Sequence, residues 1–294
     1  MDAGRDKIVG MELKPKPRGI FFRALRLVLV AMTIFYVGAC VLVFTFQRKL
    51  LYLPVVRSAA AVDQMARAKG MERWKNSVGQ FIGAKRICPN QPAAGCVLML
   101  YGNASSAVGC SAYADAIQSA APLDFFVVDY PGYEDRPGAP SRDALLAAAK
   151  DAFQSLNPHQ PIYLVGESLG TGVAAFLASE FSEQISGVML LSPYHRLAEV
   201  AQKHYPWLPA RWLLQDDFWS ENYLRSYHGL VGIMIDGQDE VVPATFGHKL
   251  FDGYAGPKRL WEYPNCHHVQ LGESPEIFWK SVTAFWQNGK NPGQ

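Results

Sequence analysis

The 294-residue sequence carries little net charge. Its 28 Lys and Arg residues nearly balance its 26 Asp and Glu residues, and the formal charge at pH 7 is +2. A nucleic-acid-binding surface requires a strong basic bias, and recognition of a highly charged partner also requires an excess of one sign. The composition therefore argues against nucleic acid as a partner.

Cysteine is also scarce, and the motifs of metal and dinucleotide sites are missing. The chain has five cysteines, at positions 40, 88, 96, 110 and 266. No pair of CxxC motifs, no Cys/His cluster with zinc spacing and no GxGxxG motif occurs. We therefore predict neither a metal nor a cofactor. Cys88 and Cys96 flank a turn-rich stretch, so a disulfide between them and a pair of free thiols both stay open.

One apolar stretch is long enough to cross a membrane. Residues Leu27 to Phe46 include no charged side chain, and a helix rising about 1.5 Å per residue would be about 30 Å long over this stretch. Basic residues are more numerous before the stretch than after it. By the positive-inside tendency, we expect a single-pass membrane protein with a cytoplasmic N-terminus and the remainder outside, in the periplasm if the cell is bacterial.

The same region offers an alternative interpretation. The residues VGAC, ending at Cys40, loosely match a lipoprotein processing site that would leave Cys40 lipidated. The apolar run continues beyond Cys40 to Phe46, whereas a mature lipoprotein usually begins with polar residues, and this favours an uncleaved helix. Both alternatives predict attachment to a membrane.

Beyond the apolar stretch, short β-rich runs alternate with helix-length segments. The predicted strands are Cys96–Tyr101, Asp124–Asp129, Ile162–Gly166, Gly187–Leu191, Val231–Asp236 and Arg259–Tyr263. The predicted helices between and after them are Ser141–Leu156, Leu169–Phe181 and Pro275–Trp286. This alternation is typical of a mainly parallel α/β sheet that is covered by helices on both faces.

The organisation along the chain follows from these patterns. We predict a basic cytoplasmic tail over residues 1–26, a transmembrane anchor over 27–46, a juxtamembrane linker over 47–75 and one α/β domain over 76–290. An aromatic-rich segment interrupts the alternation, and we predict a small helical cap insertion over about residues 195–228.

The strongest chemical motif is Gly-Glu-Ser-Leu-Gly over residues 166–170. It follows a predicted strand and precedes a predicted helix, which is the setting of a sharp turn that lifts a nucleophilic serine clear of a sheet. Small residues at positions 166 and 170 let neighbouring backbone pass close to the turn. We therefore predict Ser168 as a nucleophile.

A serine nucleophile needs a base and an acid that orients the base. After this kind of turn the acid is expected next in the chain and the histidine last. We predict Asp239 in the loop after the strand Val231–Asp236 as the acid, ahead of its neighbours Asp236 and Glu240. His268 is the predicted base, and the adjacent His267 is the alternative.

A tetrahedral intermediate also needs backbone N–H groups that meet its oxyanion. One predicted donor is Leu169, the residue after the nucleophile. The other is Asn103, in the turn that follows the strand Cys96–Tyr101.

Together these motifs resemble the membrane-anchored branch of the α/β-hydrolase-domain proteins. The matching segments, in chain order, are QRKLLYLP, YGNA in place of the family's HGNA, DYPGYEDRPGAPS, GESLGTG, SPYHRLAEVAQKHYPWLP, DGQDEVVP and the closing histidine. Two departures are Tyr101, where the family has a histidine, and an acid loop that is one residue shorter. The resemblance implies the α/β-hydrolase fold and hydrolysis of esters, thioesters or lipids.

We therefore predict a membrane-anchored serine hydrolase that acts on an acylated small molecule, a lipid or an acyl-protein. Two alternatives stay open. The same triad attacks amides, so a peptidase or amidase is possible on this fold, and a catalytically inactive, hydrolase-like binding scaffold would keep the fold without the reaction.

Overall fold

The computed structural model of the chain describes residues 18–89 and 92–289. Residues 1–17 of the predicted basic tail lie outside the described residues. The chain divides into two compact units, Met1–Thr45 and Phe46–Gln294.

The N-terminal apolar stretch is helical. Helix α1, Arg18–Leu51, begins before the predicted anchor and ends after it. The segment Gly19–Leu51 is strongly apolar, and its most apolar part is not buried inside the protein. The length and composition of α1 therefore fit a membrane span.

The second unit is built on one eight-stranded sheet. Its strands are β1 (Glu72–Lys75), β2 (Phe81–Arg86), β3 (Gly95–Leu100), β4 (Leu123–Val128), β5 (Ile162–Glu167), β6 (Ile185–Leu191), β7 (Val231–Asp236) and β8 (Lys258–Tyr263). The spatial order is β1-β2-β4-β3-β5-β6-β7-β8. The β1–β2 and β2–β4 pairs are antiparallel, and the pairs from β4 to β8 are parallel. The predicted fold class is confirmed.

Helices cover the sheet. They are α2 (Ala59–Ala68), α3 (Ser111–Ala120), α4 (Arg142–Gln154), α5 (Leu169–Glu180), α6 (Leu197–His204), α7 (Ala210–Leu213), α8 (Ser220–Leu224), α9 (Ala244–Gly253) and α10 (Pro275–Asn288). The Ser141 side chain accepts a hydrogen bond from the N–H of Ala144 and caps the N-terminus of α4. Helices α6, α7 and α8 occupy the segment that was predicted as the cap.

The six predicted strands correspond to β3 through β8. The sequence pattern missed β1 and β2, and β1 together with α2 occupies part of residues 47–75, which were predicted as a linker. Trp74 is the buried residue of β1. In β2, a Cβ atom on Gly83 would lie 1.9 Å from the carbonyl oxygen of Val127 on β4, so glycine permits this close strand contact.

The cysteines are free thiols, including Cys88 and Cys96, so the disulfide that the sequence left open does not form. Cys88 follows β2, whereas Cys96 lies in β3, and β4 runs between these two strands. Strands separated by one neighbour are about 9.5 Å apart, which exceeds the Cα separation that a disulfide can bridge.

Candidate active site

Ser168 lies at a strained turn between β5 and α5. Its backbone has φ 48° and ψ −115°, a conformation that costs energy for a residue with a side chain. A Cβ atom on Gly170 would lie 2.0 Å from the carbonyl oxygen of Leu100, and one on Gly166 would lie 2.8 Å from the carbonyl oxygen of Gly170. Both glycines are therefore required by close backbone contacts, as the sequence pattern predicts.

Three predicted residues from distant parts of the chain meet at this turn. The hydroxyl oxygen of Ser168 lies 3.0 Å from Nε2 of His268. Nδ1 of the same imidazole lies 2.6 Å from Oδ2 of Asp239. With the carboxylate accepting from Nδ1–H, Nε2 is left as the acceptor for the serine proton.

The carboxylate of Asp239 is held in place by its own loop. Its Oδ1 accepts hydrogen bonds from the backbone N–H groups of Val241 at 2.8 Å and Val242 at 2.7 Å. The Asp239 side chain is 1% exposed, and that of His268 is 22% exposed. The acid is thus enclosed and fixed, while the imidazole retains access to a substrate.

The alternative base lies elsewhere. Nδ1 of His267 is 2.6 Å from Oε1 of Glu240, and both side chains of this pair are at least half exposed. Of the two neighbouring histidines, the structure therefore places His268 beside Ser168 and directs His267 to the surface carboxylate.

Asp236, the other competing acid, is hydrogen-bonded to the loop that carries His268, termed the histidine loop. Its Oδ2 accepts hydrogen bonds from the hydroxyl of Ser192 at 2.6 Å and from the N–H of Val269 at 2.9 Å. Val269 follows His268 and has a φ of 57°, so these contacts hold the backbone in an unfavourable conformation. Burial raises the pKa of Asp236.

The loop that carries Asn103 is held by the last residue of α1 and by the residues that follow it. The Asn103 amide donates to the carbonyl oxygen of Leu51 at 2.7 Å, and its Oδ1 accepts from the N–H of Leu53 at 3.3 Å. The N–H of Ala104 donates to the carbonyl oxygen of Leu53 at 3.2 Å. Leu169 opens helix α5, so its N–H has no acceptor within the helix.

Comparison with known proteins agrees with this geometry. A family model described as the alpha/beta hydrolase fold matches residues 95–226. The uncharacterised protein Rv2307c of Mycobacterium tuberculosis is 33% identical over 240 residues, which cover 79% of this chain and 83% of that protein. The chain belongs to the α/β-hydrolase family.

Two further likenesses lie within the same fold. The lysophosphatidylserine lipase ABHD12 of Rattus norvegicus is 26% identical over 335 aligned positions, covering 95% of this hydrolase chain and 81% of the lipase. The crystal structure of the Pyrococcus furiosus esterase Pf2001 superimposes with a TM-score of 0.61, covering 82% of this chain and 97% of the esterase. At 15% identity, that superposition shows the fold.

Two residues of this hydrolase that contact the site loops were not singled out from the sequence. Glu167, beside the nucleophile, accepts a hydrogen bond from the hydroxyl of Tyr113 at 2.6 Å, and burial raises its pKa. Asp129 accepts hydrogen bonds from the hydroxyl of Tyr101 at 3.0 Å and from the N–H of Ala107 at 2.8 Å. Tyr101, which replaces the family's histidine, therefore joins the loop that carries Asn103 to the residue after β4. The available signals were the acidic residues in GESLG and DYPGY.

An apolar cavity of about 290 Å³ adjoins the histidine loop. Its wall includes Val269, next to His268, and Leu191, whose carbonyl oxygen accepts the N–H of Ser168 at 3.0 Å. Met234, Leu271 and Phe278 are among its other apolar lining residues. Within residues 18–89 and 92–289, no group of three or more His, Cys, Asp or Glu side chains is arranged to hold a metal ion.

Proposed function

We propose that this protein is a membrane-anchored serine hydrolase that cleaves esters or thioesters through an acyl-enzyme. The observation that carries the proposal is the continuous hydrogen-bonded chain from Ser168 through His268 to Asp239. A serine with this pair of partners, at a strained turn between strand and helix, is arranged for nucleophilic attack on a carbonyl carbon.

The reaction has two halves. As Ser168 Oγ bonds to the carbonyl carbon, its proton passes to Nε2 of His268, and the backbone N–H groups of Leu169 and Asn103 meet the developing oxyanion. His268 then gives the proton to the departing alcohol or thiol. The acyl group remains bonded to Ser168 as an acyl-serine. Water, deprotonated by His268, cleaves the acyl-serine and returns the proton to Ser168.

The surroundings of the site support the proposed substrate class. The apolar cavity beside the histidine loop favours a substrate with an apolar acyl part. The similarity to a lysophosphatidylserine lipase and the apolar helix α1 support a lipid or another acylated molecule at a membrane. The excess of basic residues before the apolar stretch supports a cytoplasmic N-terminus and a catalytic unit on the opposite side.

The test is covalent labelling of intact cells with a charged, membrane-impermeant fluorophosphonate. We expect labelling of the wild type, loss of labelling in Ser168→Ala and retained labelling in Ser179→Ala, because the Ser179 hydroxyl only donates to a carbonyl oxygen of its own helix. If the protein is labelled only after the cells are lysed, the catalytic unit lies on the cytoplasmic side and the proposed orientation is wrong. A folded wild type that resists the probe even after lysis would contradict the serine mechanism and favour a binding scaffold.

A further inference from the structure

The residues that directly follow the apolar stretch are fastened to the cap. The Gln47 amide donates to the carbonyl oxygen of Leu213 at 3.1 Å and accepts from the N–H of Gln215 at 2.8 Å. The Arg48 guanidinium forms two hydrogen bonds with the carboxylate of Asp216, at 2.9 and 3.1 Å. A planar, two-point contact of this kind fixes orientation as well as distance. The cap segment 213–216 is thus held where the chain leaves the apolar stretch.

The side chains beside this contact are unusual for a surface in water. Trp212, next to Leu213, is 87% exposed, and Tyr205 and Trp207 in the preceding turn are each more than half exposed. Leu50, in the last turn of α1, is 65% exposed. Tryptophan is a strongly buried residue type on average, so several large exposed aromatic side chains on one cap segment point to a surface that binds something.

A bilayer interface is the surface that these residue types fit. Tryptophan and tyrosine are enriched where the hydrocarbon region meets the headgroups, and basic residues favour the adjoining layer of lipid phosphates. Lys49, beside Leu50, and Lys203, at the end of α6, are exposed, and Arg211 lies beside Trp212. Gln47 and Arg48 directly follow an apolar stretch of membrane-spanning length, so we expect the cap segment bound to them at the depth of this interface.

We propose that the surface formed by Leu50, Tyr205, Trp207 and Trp212, termed the Trp212 surface, rests in the interfacial region of the lipid bilayer. The inference rests on the membrane anchoring in the proposed function and deepens it, because it identifies the bilayer as the source of the acylated substrate. The cap and the Asn103 loop both lie at the carboxyl ends of the parallel strands, as does Ser168. Seating the Trp212 surface on lipid therefore brings the edge of the sheet that carries the active site to the membrane.

The test uses the full-length chain in nanodiscs of phosphatidylcholine, with and without bromine atoms near the glycerol end of the acyl chains. Bromine quenches tryptophan emission at short range. The difference between the emission of the wild type and of Trp212→Phe isolates Trp212, and we expect the brominated lipid to remove most of this difference. Trp212 is exposed, so its replacement by Phe leaves the core unchanged.

The matched control adds an exposed tryptophan at the opposite edge of the sheet. Ile87 is 47% exposed and follows β2 at the amino ends of the parallel strands. We expect the emission added by Ile87→Trp to be unaffected by brominated lipid. If brominated lipid affects the emission of Trp212 as little as that of the control, the proposal is wrong. A protein partner would then be the remaining candidate to bind the Trp212 surface.

The proposed function is tested separately in the same nanodiscs by fluorophosphonate labelling. Quenching of Trp212 without labelling of Ser168 would keep the interfacial surface and reject the hydrolase mechanism. Labelling without quenching would keep the mechanism and reject the interfacial surface.

Discussion

Two adjacent histidines in this chain each contact one of two adjacent carboxylates, at the same distance of 2.6 Å. What separates the pairs is their surroundings. Asp239 is enclosed and accepts two backbone N–H groups, and its partner His268 reaches Ser168. Glu240 and His267 lie in solvent, where an ion pair contributes little. Only the enclosed pair is arranged to hold one tautomer of the imidazole.

This difference predicts opposite outcomes for two neighbouring substitutions. Asp239→Asn removes the acceptor that orients Nδ1–H of His268, and we expect kcat for a nitrophenyl ester to fall by about 10⁴-fold. Glu240→Gln alters only the exposed pair, and we expect kcat within a factor of about two of the wild type. Steady-state kinetics of the two purified variants provides the measurement. Equal losses, or the larger loss in Glu240→Gln, would assign the acid to Glu240.

The limits of sequence reasoning are visible at these residues. The turn at Ser168 was predictable because strand, serine, helix and small flanking residues are all local signals. His268 was the predicted base, but the sequence left His267 as an alternative, since adjacent side chains point in different directions according to the backbone angles. Those angles depend on Val269, whose N–H is held by Asp236 from a different strand. The sequence does not show that contact.

Among the elements, the end of α1 and the residues that follow it hold the loop that carries Asn103. Leu51 and Leu53 bind both the side chain of Asn103 and the N–H of Ala104. Further along, Arg57 pairs with the buried Glu134, whose N–H donates to the carbonyl oxygen of Val55 at 2.7 Å. The side chain of Asn103 therefore positions the loop, while its backbone N–H is the proposed donor to the oxyanion.

We expect Asn103→Ala to lower kcat by up to about 100-fold with little change in KM. The backbone N–H remains, but without the side-chain contacts it shifts from the position that the transition state requires. Tyr133→Phe is the matched control, because it removes only one neighbouring contact, the hydroxyl that donates to Oδ1 of Asn103 at 3.1 Å. Its kcat should stay within a few fold of the wild type. A rise in KM at unchanged kcat in Asn103→Ala would indicate a substrate contact rather than a positioning role.

The strands differ in how predictable they were, for a physical reason. Strands β3, β6 and β7 are buried in parallel pairing and appear as largely apolar runs. Strand β1 reads Glu-Arg-Trp-Lys with one buried residue, and β2 is mixed. These two strands lie at one edge of the sheet, and their pairing depends on the neighbouring strand rather than on an apolar pattern of their own. No periodic signal in the sequence therefore marked them.

At the scale of the whole molecule, stability is coupled to buried carboxyl groups around the site. Burial raises the pKa values of Asp129, Glu167 and Asp236, and that of Asp129 to about 7. Asp129 joins the end of β4 to Tyr101 after β3 and to the turn that begins at Ala107. Its titration therefore affects the packing of several elements at once.

The sign of the expected pH dependence follows from proton counting. In the unfolded chain, Asp129 loses its proton near pH 4, whereas in the folded protein it keeps the proton until about pH 7. Between these values the folded state binds more protons, so the free energy of unfolding falls as pH rises, by up to about 1.4 kcal/mol per pH unit. The stability that protonated Asp129 contributes is fully present below its pKa in the unfolded chain. It is lost as the pH rises through its pKa in the folded protein.

We therefore expect the stability advantage of the wild type over Asp129→Asn to shrink as pH is raised from about 5 to about 8. The Asn side chain keeps an oxygen acceptor for Tyr101 and Ala107 but does not titrate. The measurement is denaturant unfolding of both variants in the same detergent, followed by tryptophan fluorescence at several pH values. Asp252→Asn, at an exposed position on α9, serves as the control and should track the wild type. Parallel pH profiles for the wild type and Asp129→Asn would show that Asp129 is already ionised in the folded protein, and that its hydrogen bonds outweigh the effect of burial.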